Sequence, residues 1–126
     1  MVSCLLVEND VSNRQLLAAM LRDLGIFCTE ESAFEDAAQP SQEEQPTLIL
    51  ANASGTSAAQ DFLRRNALIK THQSHPLVIL YSTTPNIDDM NSSIIAGASD
   101  FLVWPFDQNL LRFKLQQAGL ILNAAA

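Results

Sequence analysis

Short apolar runs recur along the chain, and longer stretches with helically spaced apolar residues separate them. The runs are Val2 to Val7, Ile26 to Thr29, Pro46 to Asn52, Leu77 to Tyr81 and Phe101 to Trp104. Runs this brief and this apolar read as strands buried on both faces of a parallel sheet. Between the first two, Leu16, Leu17, Met20, Leu21 and Leu24 mark one face of a helix. Asp10 or Ser12 is placed to cap its start, and Gly25 sits where a left-handed terminator belongs. Ser32 to Gln45 is rich in Ala, Glu and Gln and contains Pro40, which predicts only a short second helix. Ala58, Phe62, Leu63 and Leu68 predict a third helix with Arg64 and Arg65 on its wet side. Ile87, Met90, Ile94 and Ile95 predict the inner face of a fourth helix, ending near Gly97. Asp107 can cap a fifth, whose apolar side includes Leu110, Leu111, Leu115 and Leu122. Strands alternating with helices in this way predict an α/β domain of βαβ units, with right-handed crossovers placing helices on both faces of the sheet.

Composition narrows the function. At 126 residues and 48% hydrophobic content, the chain has apolar material for a single two-sided core. A net charge of −7, with only seven Lys and Arg and no basic cluster, argues against direct binding to nucleic acid or to anionic membrane. Cys4 and Cys28 make no disulfide framework at this size and are expected as reduced thiols. The chain opens on a strand pattern without the layout of a signal peptide, and no apolar run reaches the length of a membrane span, so a cytoplasmic location is expected. His72 and His75 have no partner at metal-ligand spacing and read as surface residues, and Glu43 and Glu44 as a solvated face. The domain is expected to span residues 1–126, and the closing Asn123-Ala124-Ala125-Ala126 allows it to be part of a longer protein.

In open α/β sheets, function gathers at the carboxyl ends of the strands. Here those ends carry Glu8-Asn9-Asp10, Asn52, Tyr81 and Trp104-Pro105. Three segments resemble the receiver domain of two-component response regulators. They are Leu5 to Asp10 with Asn13 to Leu17, Pro46 to Asn52, and Gly97 to Phe106 with its Gly-Ala pair, aromatic strand and Pro-Phe. The resemblance covers essentially the whole chain. It implies a flavodoxin-like, three-layer, doubly wound five-stranded parallel sheet with strand order 2-1-3-4-5.

Receiver domains accept a phosphoryl group from a kinase histidine onto an aspartate ending the third strand. An acidic pair after the first strand holds Mg²⁺, and a Ser or Thr after the fourth and a Lys after the fifth bind the phosphoryl oxygens. That chemistry needs a nucleophilic carboxylate, a hard cation and a compensating ammonium. Carried over, the acceptor position falls on Asn52, an amide that cannot form an acyl phosphate. The acidic pair falls on Glu8 and Asn9, with Asp10 as a neighbouring acid. The Ser/Thr position falls on Tyr81 and the Lys position on Trp104, followed by Pro105. Glu8 and Asp10 could recruit Mg²⁺ only weakly, and no cofactor is expected.

The reading is therefore of a non-enzymatic pseudo-receiver that signals by contact with a protein partner or output domain, without phosphorylation. In receivers, the face of the fourth helix, fifth strand and fifth helix commonly dimerises. Here it would carry Asp88, Asp89, Asn91, Ser92, Asp107, Gln108, Arg112 and Lys114, a mixed-charge surface open to a homodimer. Two alternatives stand beside this. Asn9, Asn52, Tyr81 and Trp104 could form a small-ligand pocket, or Ser54 or Asp10 could serve as a substitute phosphoacceptor. Trp104 either fills the emptied pocket or meets a partner, and Tyr81 either turns inward or lies on the surface.

Overall fold

A computed structural model describes residues 2–31, 47–53, 77–84 and 86–121. Five strands form one sheet: β1 (Ser3–Val7), β2 (Phe27–Glu31), β3 (Leu48–Asn52), β4 (Leu77–Ser82) and β5 (Asp100–Val103). All neighbours are parallel, in the order β2-β1-β3-β4-β5. The expected strand order and fold class are thus observed. The central strands are buried because each is apolar on both sides, and the sheet is covered on both faces.

The two faces are distinct. On one, Leu6, Leu50, Ile79 and Tyr81 of the sheet pack with Leu17 and Leu21 of α1 (Val11–Asp23) and Leu111 and Leu115 of α3 (Gln108–Gln117). On the other, Leu5, Val7, Ile49, Ala51 and Leu80 pack with Ala98 and Phe101, against which Met90 of α2 (Ile87–Ala96) rests. Alternation along each strand produces this separation, since successive side chains point to opposite faces.

The helices begin where a short polar side chain can bind their first free N–H groups. Asp10 caps α1 by accepting from Asn13 N at 2.8 Å, Asn86 caps α2 through Asp88 N and Asp89 N, and Asp107 caps α3 through Leu110 N at 2.8 Å. Of the two candidates for the first cap, Asp10 is the one used. Gly97 closes α2 with φ 123°, a left-handed value that favours glycine.

The helix faces differ from the spacing-based reading in three places. In α1, Leu16 is exposed and Ala18 is buried in its stead. In α3, Leu110 points outward while Leu111 and Leu115 are fully buried. The difference is largest in α2, where Ile87 is 75% and Ile95 86% exposed and Ile94 is also exposed. There the buried position is Ser93, and Met90 is the apolar contact with the core. Small side chains at Ser93 and Ala98 let the helix approach the sheet on a face the isoleucines do not share. The expected second and third helices, with Phe62, Arg64, Arg65 and Leu68, lie outside the described residues, as do Glu43, Glu44, Ser54, His72, His75 and Leu122.

Candidate functional site

β1 ends at Val7, and the chain turns sharply at Glu8. The main-chain N–H of Glu8 donates to the carbonyl of Glu31 at 2.9 Å, and Arg14 Nη1 donates to the carbonyl of Glu8 at 2.7 Å. This anchoring directs the Glu8 side chain inward, where it is 1% exposed. A buried carboxylate requires partners, because burying an unpaired charge costs several kcal/mol.

Three donors supply them. Asn52 Nδ2 donates to Glu8 Oε1 at 3.0 Å, and the Tyr81 hydroxyl donates to the same oxygen at 2.8 Å. The main-chain N–H of Asp10 donates to Oε2 at 3.0 Å. Asn52 and Tyr81 are neighbours because β3 and β4 pair in that register. The sheet thus brings together three of the positions singled out in the sequence. Tyr81 turns inward and is fully buried. Burial first, then its hydrogen bond to Glu8 and the carboxylate charge, push its phenol far above the ordinary tyrosine range.

Trp104 is also buried, just after β5. Its ring lies 5.9 Å from that of Tyr81 and 4.9 Å from that of Phe106, the latter edge-on at 82°. Tyr81 and Phe106 meet edge-on as well, at 5.9 Å and 80°. The three rings make a compact aromatic cluster with the tilted geometries such pairs prefer. Trp104 therefore fills space in the core. Phe106 completes the cluster, a role that its Pro-Phe motif did not announce.

Two of the singled-out residues keep their side chains out of this network. Asn9 is exposed, and Asp10 is exposed with a carboxylate oxygen committed to capping α1. The guanidinium of Arg14 donates to the Glu8 main chain and lies 3.8 Å from Glu30. Lys114 is paired with Asp100 at 2.8 Å. The strand that carries Tyr81 runs one residue further than its apolar run suggested and ends at Ser82, a buried serine whose Oγ accepts from Thr84 N at 3.1 Å. Alternation puts Ser82 on the face opposite Tyr81.

This donor set does not fit Mg²⁺. The ion needs oxygen ligands in octahedral array, whereas both oxygens of Glu8 already accept hydrogen bonds and the neighbouring groups direct N–H and O–H protons at them. Among the described residues there is no cluster of three or more His, Cys, Asp or Glu able to hold a metal. The amide, the protonated phenol and the saturated carboxylate include no activated nucleophile.

The overall geometry matches solved structures closely. The receiver domain of the sensor histidine kinase PA1611 from Pseudomonas aeruginosa PAO1 superposes with a TM-score of 0.76 at 23% identity, over 92% of this chain and 95% of that one. A response regulator from Thermotoga maritima gives 0.79 at 16% identity, over 93% and 96%. A response regulator receiver protein from Burkholderia phymatum gives 0.79 at 18%, over 98% and 99%. The chain has the receiver fold. No family model matches the sequence, and no curated protein matches it either. The PA1611 domain was crystallised with a magnesium ion coordinated in its active-site cleft. This chain presents the Glu8–Asn52–Tyr81 network at the carboxyl ends of its strands.

Proposed function

We propose that this domain is an atypical receiver of two-component or phosphorelay signalling, bacterial and cytoplasmic, that acts by protein–protein contact without phosphorylation. The observation that carries the reading is the pair of hydrogen bonds from Asn52 and Tyr81 to Glu8 Oε1. In an active receiver, a cation must balance clustered carboxylates. Here two neutral donors and a main-chain N–H do so within the protein, and the acceptor position is an amide. The domain is read as non-enzymatic and without resident Mg²⁺.

The register of β3 and β4 sets Tyr81 beside Asn52. In this reading Tyr81 holds the Ser/Thr position and commits its hydroxyl to Glu8, while Ser82 lies on the opposite face and accepts from Thr84 N. The acceptor, one acid, the Ser or Thr and the lysine are all replaced, by Asn52, Asn9, Tyr81 and Trp104.

The partner-binding surface is proposed on α2, β5 and α3. Asp88, Asp89, Asn91, Asp107, Arg112 and Lys114 lie in its elements, but the exposed Ile95, Val103 and Phe113 make it more apolar than its charged residues suggested. Such a surface suits a protein partner, an output domain or a second copy of this chain, and neither nucleic acid nor membrane. No observation favours the small-ligand alternative, because the Trp104 and Tyr81 rings are engaged with each other and with Phe106.

The test is intact-mass analysis after incubation with a small-molecule phosphodonor and Mg²⁺. The expected result is an unmodified chain. A phosphoryl adduct on any residue, Ser54 and Asp10 included, would return phosphotransfer to the leading place.

A further inference from the structure

The chain contains two cysteines, and the fold sets them side by side. Cys4 on β1 is the register partner of Cys28 on β2, and both thiols lie on the face covered by α1. Adjacent strands run about 4.8 Å apart, which falls within the Cα separation of about 4.4–6.8 Å that a disulfide can span. The two side chains are close enough for each to shift the other's ionisation.

Their surroundings differ. Cys4 is buried in the core, and Cys28 is only partly buried, on β2 at the end of the strand order. The hydrogen bond with Cys28 and burial raise the Cys4 thiol well above its ordinary range. The hydrogen bond from Cys4, helped by Arg22 and opposed by burial and Glu30, lowers that of Cys28. The reachable sulfur is thus also the one that more readily becomes a thiolate, the form that reacts with oxidants.

We propose that Cys28 and Cys4 form an oxidant-driven, reversible disulfide that joins β2 to β1. The Cys28 thiolate attacks a hydroperoxide, forming an S–O bond as the O–O bond breaks. The departing alkoxide or hydroxide takes up a proton, leaving a sulfenic acid. The Cys4 sulfur then attacks Cys28 sulfur, its proton leaves with the hydroxyl as water, and the S–S bond closes. Cysteine is oxidised and the peroxide reduced. Among the described residues β2 is paired on one side only and can adjust to the bond.

The experiment treats the full chain with a hydroperoxide under native conditions, then blocks thiols with an alkylating reagent and reads intact mass and peptide maps. The expected result is a monomer lighter by two hydrogens, with neither cysteine alkylated and both restored by dithiothreitol. Cys28→Ser should abolish the change and, being at a partly buried position, should retain the fold. Cys4→Ala should leave Cys28 carrying oxygen adducts or a mixed disulfide. Three outcomes overturn the proposal: oxygen adducts on Cys28 in the native chain without an intramolecular link, a dimer bridged through Cys28, or both thiols still alkylated at oxidant levels that consume free cysteine.

Discussion

The Tyr81 hydroxyl donates to Glu8 Oε1 at 2.8 Å, inside a core where neither side chain meets solvent. A hydrogen bond to a buried charge is worth more than one between neutral groups, and its loss leaves part of the carboxylate's desolvation uncompensated. Tyr81→Phe keeps the ring contacts with Trp104 and Phe106 and removes only the donor. Chemical denaturation should show it less stable by about 1.5–3 kcal/mol. A change within error would mean that Asn52 and the Asp10 N–H satisfy Glu8 unaided.

The same bond sets a pH dependence. Tyr81 has its phenol raised in the folded state by burial and by Glu8. In the unfolded chain it ionises near its ordinary value of about 10. The stabilisation is therefore complete below about pH 10 and is lost as pH rises beyond it, because only the unfolded state then releases the proton. Since Tyr81 is the sole tyrosine, tyrosinate absorbance should appear together with unfolding rather than before it. Tyr81→Phe should flatten the difference in alkaline stability between pH 9 and 11, values on either side of the ordinary tyrosine range of about 10.

Asn52→Asp restores the acceptor side chain but sets a second carboxylate about 3 Å from Glu8. Two like charges at that distance cannot both ionise cheaply, so one carboxyl's folded-state pKa rises above its unfolded value. Its contribution is then favourable at low pH and lost as pH climbs through the carboxylate range. The variant should be less stable than the parent by about 1–3 kcal/mol at pH 7, and the gap should narrow toward pH 5. Thermal melts at both pH values decide it, and an equal gap at each would argue that the aspartate had swung away from Glu8.

Sequence pattern located the strands well, because β1, β3 and β4 are apolar on both faces and admit few other readings. It located helix faces less well. In α2, Ile87, Ile94 and Ile95 share the spacing of an inner face, yet the helix packs through Met90 and Ser93. Periodicity counts apolar residues and is blind to small ones, which let a helix approach closely. At the site, the motif spacing pointed to Glu8, Asn52, Tyr81 and Trp104. What it could not express was direction: that the amide and phenol would turn their donors onto one carboxylate oxygen, and that Asp10 would leave the site to cap α1. The alternation of β4 held one recoverable hint, since Tyr81 shares its parity with Ile79 on the α1 side and Ser82 does not.

Exposed isoleucine and phenylalanine are costly to keep unless something covers them. Ile95→Asp and Phe113→Asp remove apolar surface from the proposed partner face without touching the core, as both residues are more than half exposed. Each should stay within about 0.5 kcal/mol of the parent in stability. Analytical ultracentrifugation of the parent should show a concentration-dependent dimer that both variants lose. A parent that stays monomeric at high concentration would assign the face to a different protein.

Ser93 offers a test of how closely α2 meets the sheet. Its Oγ is buried with no hydrogen-bond partner among the described residues. An unsatisfied buried hydroxyl costs about 1–3 kcal/mol, and serine is a poorer helix former than alanine. Ser93→Ala removes both penalties while shortening the side chain by one atom, so no cavity of consequence opens. The variant should gain about 0.5–1.5 kcal/mol in urea unfolding. Ser93→Val, which adds bulk at the same contact, should lose stability by overpacking. If alanine proved destabilising instead, the hydroxyl would have a partner that holds α2 in place, and the helix would be fastened to the sheet by a polar contact as well as by Met90.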